Sequence, residues 1–295
     1  MSTYATYTIK NLEVMTGIKS HTIRIWEKRY GILQPGRSDT NIRFYTNEDL
    51  KKLLNVSFLN QHGLKISRIA EMSEEEIRLK VQALNLSEFS DATLIESLMV
   101  AMIELNESLF RNVLHTATLR YGFEQVAVLV IFPFFQRIGI MWQTGVINPA
   151  QEHFVSNIVR NMIIGATEAL DYHPDPALKK VVLLLPESEL HEIGLLFYNY
   201  VLRIHNYPTL YLGQIVPLDS MERILEITTP DALICSVTNA LNAGDIDILI
   251  RRIAVTYKGP VFVCGSALSA CEAPMPANVS RFSRAAELLQ LLAAL

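Results

Sequence analysis

Glu189 and His191 are the residues whose types and spacing most clearly suggest chemistry. They follow the apolar run Val181–Leu185, which is typical of a buried parallel strand, and they precede Gly194 and a helical pattern. The pair is therefore expected beyond the carboxyl end of a strand, where open parallel sheets bind ligands. A carboxylate behind an imidazole fixes the tautomer of the ring and raises its basicity, as it does behind metal-binding histidines. Taken alone, however, a loop histidine beside an acid is more often an ordinary surface pair.

The composition indicates folded domains in a reducing compartment. Half of the 295 residues are apolar, and two or three domains are expected for this length. The longest apolar run, Val126–Phe135, is too short to span a bilayer, and Met1–Tyr7 lacks the features of a signal peptide. Cys235, Cys264 and Cys271 have neither metal-ligand spacing nor an even number for disulfides. We therefore expect a cytoplasmic protein with no membrane partner.

Charge is distributed unevenly along the chain, whose net charge is −4. Residues 1–70 contain 11 Lys and Arg against 5 Asp and Glu, a balance of +6. Residues 71–295 contain 15 Lys and Arg against 25 Asp and Glu, a balance of −10. A basic head on an acidic body suggests that only the head meets a polyanion.

The basic head, residues 1–77, is predicted to contain a helix-turn-helix. Helices are expected over Thr8–Met15 and His21–Tyr30, with Gly17 closing the first and Ser20 capping the second. Two short helices around a glycine-containing turn form a helix-turn-helix, and its second helix is the candidate for the DNA major groove.

A hairpin wing and further helices are expected after this pair. Ile32–Leu33 and Ile42–Tyr45 flank a set of turn residues, which predicts a small hairpin that presents Arg37 and Arg43 to phosphates. Thr46 is expected to cap a third helix. A helical domain with a solvated basic face would explain the helix pair alone. The complete order of helix, turn, helix, wing and helix pair is more specific.

Several segments of the head resemble the winged-helix DNA-binding domain of the MerR family. They include Thr22–Gly31, Pro35-Gly36-Arg37 and Arg43-Phe44-Tyr45. The resemblance implies that the recognition helix and wing contact a near-palindromic double-stranded DNA operator, and that the protein associates with itself as a dimer or tetramer. By position, DNA contact falls to His21, Thr22, Arg24, Lys28, Arg29, Arg37, Arg43 and Tyr45. No cysteine precedes Cys235, so the metal-binding cysteines of many metal-sensing relatives are missing.

The middle of the chain, residues 78–172, is predicted to form a four-helix bundle. Apolar residues at helical spacing indicate three or four helices, and Phe123–Met141 is apolar on nearly all sides, which is typical of a central helix. Between the last two helices lie Trp142 and, after nine intervening residues, the pair Glu152-His153. A tryptophan that caps a core and a solvated first-turn pair would be the simpler interpretation.

This tryptophan and acid-histidine spacing resembles the helical bundle of the adenosylcobalamin-dependent MerR-type photoreceptors, the CarH/LitR group. The resemblance implies that Trp142 packs over the upper face of the corrin and that Glu152 and His153 meet the adenosyl group. An indole provides a flat apolar lid, and adenine and ribose offer polar atoms for hydrogen bonds. Light-sensing relatives carry a histidine directly after the tryptophan, whereas this chain has Gln143. An amide is a poor cobalt ligand, so a two-histidine photoproduct is not expected.

The last segment, residues 173–295, is predicted to be an α/β domain after a proline-rich linker. Strands alternate with helices, which indicates a parallel sheet of flavodoxin-like (Rossmann-like) order with helices on both faces. The expected strands are Val181–Leu185, Thr209–Leu212, Ala232–Ser236, Pro260–Cys264 and Val279–Phe282. The first strand is not followed by a glycine-rich dinucleotide or nucleoside triphosphate sequence, so those ligands are disfavoured.

Three elements of this domain resemble a corrinoid-binding signature. They are Glu189-x-His191-x-x-Gly194, Ser236-Val237-Thr238 and Cys264-Gly265-Ser266. The resemblance implies that cobalamin binds between the bundle and this domain, that His191 is the lower cobalt ligand, and that Glu189 orients it. The nucleotide tail would lie near Ser236, Thr238 and Gly265. Relatives have two glycines where this chain has Cys264 and Gly265, so the cysteine is expected to narrow the tail groove.

The leading hypothesis is a DNA-binding transcription regulator whose oligomerisation and operator binding respond to adenosylcobalamin and to light. An alternative keeps the DNA-binding head but treats the cobalamin-binding fold as a degenerate protein-interaction or other-ligand module, for which Gln143 and Cys264 are the support. A corrinoid enzyme or methyl carrier is the third reading. It is disfavoured by the DNA-binding head and the lack of a catalytic domain, so no enzymatic activity is expected.

Overall fold

A computed structural model describes the chain in the ranges 6–38, 40–87, 90–143, 147–187, 189–238, 243–271 and 273–295. These residues divide into two units, Met1–Ile158 and Val159–Leu295. The first unit contains the head together with most of the helical segment, and the second contains the parallel sheet. The predicted order of winged helix-turn-helix, helices and flavodoxin-like sheet is confirmed.

The head begins with the two helices of the helix-turn-helix, α1 (Ile9–Thr16) and α2 (Ser20–Tyr30). Gly17 adopts φ 72°, and its N–H donates to the Glu13 carbonyl at 2.9 Å, which ends α1 in the manner that glycine favours. The prediction that Ser20 caps α2 is wrong. Lys19 occupies the cap position, and Ser20 is drawn into the helix because its hydroxyl donates to Glu13 Oε2 at 2.5 Å.

The wing is a short antiparallel hairpin of β1 (Gly36–Arg37) and β2 (Arg43–Phe44). The prediction that Ile32 and Leu33 belong to the first strand is wrong: both are buried but lie outside it. A short apolar pair does not by itself distinguish a strand from a buried loop. Gly36 is required because a Cβ there would lie 2.3 Å from the Phe44 ring.

Three helices follow the wing in the chain: α3 (Asn47–Gln61), α4 (Ile66–Ala70) and α5 (Glu74–Ser87). The predicted cap of α3 is confirmed. Thr46 Oγ1 accepts from the Asp49 N–H at 3.2 Å, and Asp49 Oδ2 accepts from the Thr46 N–H at 2.9 Å, which is a capping box.

The helical segment contains α6 (Asp91–Ile103), α7 (Glu107–Tyr121), α8 (Phe123–Val126), α9 (Phe132–Gln143) and α10 (Pro149–Glu168). A π-helical turn, Ala127–Ile131, joins α8 to α9 and ends two residues before Pro133. Proline lacks an N–H and its ring crowds the preceding turn, so a widened turn at this point lets the helix continue. Helix α6 packs against α3, α7 and α9, and in this way joins the head to the bundle.

The continuous helix Phe123–Trp142 is 20 residues long and apolar enough, with a mean hydropathy of 1.5, to cross a membrane by length and composition. The predicted central helix, Phe123–Met141, ends one residue earlier, whereas the expectation about membrane spanning was based on the shorter uninterrupted apolar run Val126–Phe135. The finding is weak support for a membrane span, since core helices of soluble proteins pass the same test. Val130, Phe134, Ile138 and Met141 of this helix are buried, and Phe134 packs edge-on against Phe110 of α7 with ring centroids 5.5 Å apart.

The second unit contains a five-stranded parallel sheet in the order β4-β3-β5-β6-β7, which confirms the flavodoxin-like order. Its strands are β3 (Val181–Pro186), β4 (Thr209–Val216), β5 (Ala232–Ser236), β6 (Val261–Cys264) and β7 (Val279–Arg281). Every residue of β3 and β5 is buried, as expected for strands that are covered on both faces.

The helices of this unit are α11 (Ile193–Ile204), α12 (Leu218–Thr228), α13 (Ala243–Thr256) and α14 (Ala285–Ala293), with a 3-10 turn at Ser266–Ala270. β3 pairs with β5 in parallel register, with Leu184 opposite Cys235. The loops that leave these two strands therefore start side by side at one edge of the sheet, which is the expected ligand edge of such a fold.

Candidate DNA-binding surface and cofactor site

Helix α2 buries one face and presents basic residues on the other. Ile23 and Trp26 lie in the core of the head, as the sequence predicts, while His21, Arg24 and Lys28 are exposed. The three exposed residues are spaced by three and four positions and share one face of the helix. Thr22 is half-buried and Arg29 is exposed, with its guanidinium 5.5 Å from the centre of the Tyr30 ring. This surface has the charge and shape for the phosphates and base edges of a major groove.

The wing exposes Arg37 and holds it in a defined position. Arg37 Nη1 donates to Asn41 Oδ1 at 2.6 Å, and Asn41 occupies the left-handed region with φ 62°. The turn is closed where the Ser38 N–H donates to the Ile42 carbonyl at 2.9 Å. Arg37 therefore remains a candidate for phosphate contact, at the tip of a hairpin that its own side chain helps to brace.

Glu27 of α2 alters the predicted roles of the two remaining wing residues. Its Oε1 accepts from Arg43 Nε at 3.0 Å, and its Oε2 accepts from the Tyr45 hydroxyl at 3.2 Å. Tyr45 is fully buried, and burial followed by the Glu27 charge raises the pKa of its phenol to about 12. The prediction that Tyr45 contacts DNA is therefore corrected, because the ring supports the wing from inside the head. Arg43 is half-exposed and bridges wing and helix.

Two exposed apolar residues on this surface were missed by the sequence analysis. Ile25 lies on α2 between the basic residues with 49% of its surface exposed, and Ile42 lies at the wing tip with 64% exposed. Apolar side chains in a major groove can contact thymine methyl groups. Charge patterning did not reveal these positions because they carry no charge.

The loop after β3 is built around the carboxylate of Glu189, which is 1% exposed. Its Oε1 accepts from the Leu190 N–H at 2.9 Å, from the His191 N–H at 2.8 Å and from the His191 ring at 2.7 Å. Its Oε2 accepts from the Thr238 N–H at 2.5 Å, in the loop after β5. Glu189 thus joins the two adjacent loops of the sheet edge, and backbone N–H groups compensate its buried charge.

His191 is presented by this carboxylate with one nitrogen committed. A carboxylate accepts hydrogen bonds, so Nδ1 carries a proton towards Glu189, and in the neutral ring the lone pair then lies on Nε2. The imidazole side chain is 59% exposed although Glu189 is buried. The predicted carboxylate-imidazole pair is therefore present in this loop, and it has the chemistry of a metal-binding histidine with its supporting acid.

The two predicted glycines are used in different ways. A Cβ at Gly194, in the first turn of α11, would meet nothing within 4 Å, so open space lies over the backbone there. Gly265 adopts φ 114°, and a Cβ there would lie 2.1 Å from the Val237 carbonyl oxygen. Gly265 therefore lets the loops after β5 and β6 approach each other, while Gly194 leaves room that a large ligand could occupy.

Ser236, Thr238 and Cys264 lie together at the ends of β5 and β6, where Ser236 pairs with Cys264 across the sheet. Ser236 is buried, and Thr238 is half-buried with its carbonyl accepting from Ser266 Oγ at 3.3 Å. Burial raises the pKa of the Cys264 thiol to about 12, with an opposing hydrogen bond from Ser236. Cys264 is therefore a neutral thiol packed inside the sheet edge.

The upper-face residues of the prediction lie on α9 and α10. Trp142 is 50% exposed near the end of α9. His153 Nδ1 lies 3.1 Å from Glu152 Oε2, and Glu152 Oε1 accepts from Ser156 Oγ at 2.5 Å. The predicted acid-histidine pair is therefore formed in the first turn of α10. Gln143 ends α9, and its side chain lies outside the described residues.

A metal ion bound at this site would need most of its ligands from a cofactor that carries it. In the described part of the chain, no group of three or more His, Cys, Asp or Glu side chains is placed to hold a metal ion. A single histidine ligand is compatible with a cobalt ion that its own macrocycle already coordinates. Glu192, Arg160 and Tyr211 also surround the His191 loop. No local sequence pattern points to these three residues, because they are far apart in the chain.

Two parts of the chain match known families. Residues 7–76 match the family described as "MerR HTH family regulatory protein", and residues 94–164 match the family described as "B12 binding domain". The first match covers the winged helix-turn-helix, and the second covers the helical segment from α6 into α10.

Two curated relatives cover most of the chain, and both are from Myxococcus xanthus. The chain is 29% identical to "HTH-type transcriptional repressor CarH" over 89% of each chain. It is 27% identical to "HTH-type transcriptional repressor CarA" over 80% of this chain and 77% of the relative.

A solved structure supports the fold of the helical and sheet regions. The monomethylamine corrinoid protein of Methanosarcina barkeri matches 70% of this chain and 100% of its own length, with a TM-score of 0.55 and 13% identity. Identity at that level shows the fold alone. The chain thus carries a segment that matches the MerR HTH family and a segment that matches the B12 binding domain, and it is similar over most of its length to the transcriptional repressors CarH and CarA.

Proposed function

We propose that this regulator binds adenosylcobalamin with His191 as the lower cobalt ligand, and that binding changes how its chains associate on a DNA operator. The observation that carries the proposal is the hydrogen bond from His191 Nδ1 to buried Glu189, at 2.7 Å. This bond assigns the lone pair to Nε2 of an exposed ring.

The residues around the loop fit a corrinoid on two further grounds. Open space over Gly194 would be filled by a side chain at that position, and the bare backbone of Gly265 lies beside Thr238 and Ser266. Neutral polar groups at Ser236 and Thr238 suit a nucleotide tail. Adenosylcobalamin, when bound, supplies a cobalt–carbon bond that light can break. His191 would hold the metal from below, and Glu189 would keep the ring in the required tautomer.

Trp142, Glu152 and His153 are proposed to meet the adenosyl side of the cofactor. The half-exposed indole offers a flat apolar surface, and the paired Glu152 and His153 offer hydrogen bonds to ribose or adenine. Since Gln143 replaces the histidine of light-sensing relatives, the proposal does not include a second histidine ligand after illumination. The response to light is a separate part of the proposal and has its own test.

DNA binding is proposed to use the exposed face of α2 and the wing. His21, Arg24, Lys28 and Arg37 are exposed, and Thr22, Arg29 and Arg43 border them. Association of two chains would bring two heads to one operator, and the second head would bind at a raised effective concentration. A regulator of this kind would act in the cytoplasm, where operators are found.

The second candidate function is a degenerate cobalamin-binding fold that serves protein interaction or another ligand. The buried Cys264, at a position where relatives carry glycine, favours it because the thiol takes space at the tail edge of the sheet. This candidate makes the opposite prediction about retention of the cofactor.

Visible spectroscopy separates the two candidates. The full chain is incubated with adenosylcobalamin in the dark, desalted and scanned beside His191→Ala. We expect corrin absorbance to remain with the parent and to fall at least tenfold in the variant, since the loss of an outer-shell partner alone typically costs about 10–100-fold in metal affinity. Retention by neither protein, or equal retention by both, would contradict the cobalamin proposal. Illumination of the parent while its size is followed by light scattering tests the response to light. An unchanged size of the protein after illumination would contradict the proposed response to light.

The DNA surface is tested by the salt dependence of operator-fragment binding, with fragments selected from random sequence by the protein itself. Arg24→Ala is expected to weaken binding and to lower the salt slope by about 1 if Arg24 contacts a phosphate. Tyr45→Phe is the matched control, because Tyr45 is buried and should leave the slope unchanged. If the salt slope of DNA binding changed for Tyr45→Phe but not for Arg24→Ala, the DNA-binding surface would not be the exposed face of α2.

A further inference from the structure

Glu192 is a second buried carboxylate in the His191 loop, directly after the histidine. It is 6% exposed and occupies the position before α11, yet its side chain does not cap that helix. Instead, Oε1 pairs with Arg160 Nε from α10, and Oε2 accepts from the Tyr211 hydroxyl of β4 at 2.8 Å. A side chain at this position would usually bind the free N–H groups of the helix, so another structural demand holds Glu192 in place.

The partners of Glu192 are a guanidinium and a hydroxyl donor, which suit a carboxylate. Arg160 supplies a planar cation that can donate to both oxygens of a carboxylate. Burial, followed by the hydrogen bond to Glu192, raises the pKa of Tyr211, so the phenol stays a donor. An isolated charge in this position would be costly, and the ion pair together with the phenol offsets the lost hydration.

Three anchors together define the path of the loop from Glu189 to Glu192. Glu189 is held by the Thr238 N–H at the end of β5, and the Leu190 carbonyl accepts from Gln214 Nε2 of β4 at 2.5 Å. Glu192 is the third anchor, tied to β4 and to α10. His191 lies between the second and third anchors, and the backbone on both of its sides is therefore fixed.

We propose that Glu192, held by Arg160 and Tyr211, is a positioning residue that sets the backbone of His191 for cobalt coordination. Glu189 decides which ring nitrogen carries the proton, and Glu192 decides where the ring is placed. This inference rests on the proposed cobalamin function, but the arrangement of the ring exists in the free protein. It can therefore be measured there as well as in the cofactor-bound protein.

Imidazole NMR of the free chain is the first test. The full-length protein is labelled with ¹⁵N histidine, and the ring signals of His191 are assigned with His191→Gln. We expect the parent to show one sharp Nδ1–H tautomer. Glu192→Gln and Arg160→Ala are expected to broaden or shift these signals, because the ring would sample several positions. The control is Glu168→Gln, which removes an exposed partner of Arg203 at the other end of α10 without touching the loop.

The cofactor-bound protein provides the second readout. With adenosylcobalamin or hydroxocobalamin as the probe, Glu192→Gln is expected to need about tenfold more corrin for half-saturation, in line with losses of supporting residues at metal sites. Its visible spectrum should show a smaller fraction of the histidine-ligated form at equal occupancy. Arg160→Lys keeps the cation and should restore part of both signals relative to Arg160→Ala.

The two readouts separate failure of this inference from failure of the cobalamin function. Unchanged ring signals in both Glu192→Gln and Arg160→Ala would overturn the positioning role, whether or not corrin binds. Changed ring signals with no corrin retained by the parent would uphold the positioning role and overturn the cofactor. If Glu192→Gln fails to fold by circular dichroism, Tyr211→Phe and Arg160→Ala decide. Parent-like ring signals in both of these would then reject the proposal.

Discussion

Glu96 in the helical unit and Glu189 in the sheet unit are both buried carboxylates, but their surroundings differ. Glu96 Oε1 accepts from Arg137 Nη1 at 2.9 Å, whereas Oε2 has no hydrogen-bond partner among the described residues. Both oxygens of Glu189 accept hydrogen bonds, and the backbone N–H groups of Leu190, His191 and Thr238 are among the donors. Glu96 therefore relies on a hydrogen bond from the Arg137 side chain, whereas Glu189 relies largely on backbone N–H groups.

This difference indicates what each acid does. Arg137 of α9 also donates through Nη2 to the Met15 carbonyl at the end of α1, so the Glu96–Arg137 pair joins the head to the bundle. Burial raises the pKa of Glu96, and the Arg137 charge offsets only part of that effect. Backbone N–H groups compensate the charge of Glu189 independently of its hydrogen bond to the His191 ring. It therefore keeps enough acceptor strength to orient the His191 ring.

The largest effect is expected for Arg137→Met. It removes the Arg137 guanidinium that pairs with a buried carboxylate, and losses of this kind cost about 3–5 kcal/mol. Urea unfolding of the full chain measures the loss, which should appear in the transition of the helical unit. The control is Arg111→Met, which breaks an exposed ion pair with Glu107 and should cost about 0.5 kcal/mol or less. Equal losses in the two variants would show that the buried Glu96 carboxylate does not depend on Arg137 for its stability.

Gly265→Ala should have the next largest effect, and it acts on the Glu189 side of the comparison. The new Cβ would strike the Val237 carbonyl and would also require φ 114°, so a cost of about 2–4 kcal/mol is expected from strain and overpacking. Displacement of Val237 would also move the neighbouring Thr238 N–H away from Glu189. Thermal unfolding of the sheet unit measures this cost.

Gly194→Ala is the matched control for this substitution, because a Cβ at Gly194 meets nothing. It should leave the free energy of unfolding unchanged or slightly raised, since alanine is preferred to glycine within helices. Retention of adenosylcobalamin should nevertheless fall. If Gly194→Ala retains as much adenosylcobalamin as the parent, Gly194 does not line the cofactor site.

Glu189→Gln is expected to cost about 1–3 kcal/mol, which is less than a broken buried ion pair. One oxygen is replaced by an NH₂ group that cannot accept from the Thr238 or Leu190 N–H. Glu187→Gln, on the exposed side of the same loop, provides the control. Urea unfolding gives the cost in stability, and ¹⁵N signals of His191 report the tautomer. An unchanged tautomer would show that Glu189 is not what sets the ring.

The smallest effect concerns pH and distinguishes the two acids directly. Because the pKa of folded Glu96 is raised, its protonation stabilises the fold most at pH values below about 4.5, and this contribution is lost as the pH rises through the folded pKa. The parent should therefore lose stability relative to Glu96→Gln as the pH is raised from 4.5 to 7. Urea midpoints of both proteins across this range measure the difference, and a constant difference would contradict the raised pKa.

Local sequence patterns were sufficient for the elements and for the core of the candidate site. Helix α2 with buried Ile23 and Trp26, the capping box at Thr46 and the strand order all follow from periodicity, caps and alternation. Glu189 and His191 were found because they are two residues apart, so a short loop is enough to bring them together. The short apolar pair Ile32–Leu33 was placed in a strand because period alone does not separate a strand from a buried loop.

Contacts between distant residues could not be derived in the same way. Tyr45 looked like a DNA-contacting residue until the fold placed it against Glu27, 18 residues earlier. No role was predicted for Glu192, although it follows His191 directly, because its partners lie 32 residues before and 19 residues after it. Such pairs depend on how helices and strands pack, and a pattern within one segment does not contain that information.

The amino-acid sequence by itself determined the kind of protein: a basic winged helix-turn-helix followed by helices and a parallel sheet that carries a histidine loop. Its local signals are strong because caps, turns and hydrophobic periods act over a few residues. Only the tertiary structure decided which side chains face outward and which acids support which partners. Burial and charge compensation arise where separate elements meet. For that reason Glu189, Glu192 and Glu96, three similar residues in the sequence, have different chemistry in the folded protein.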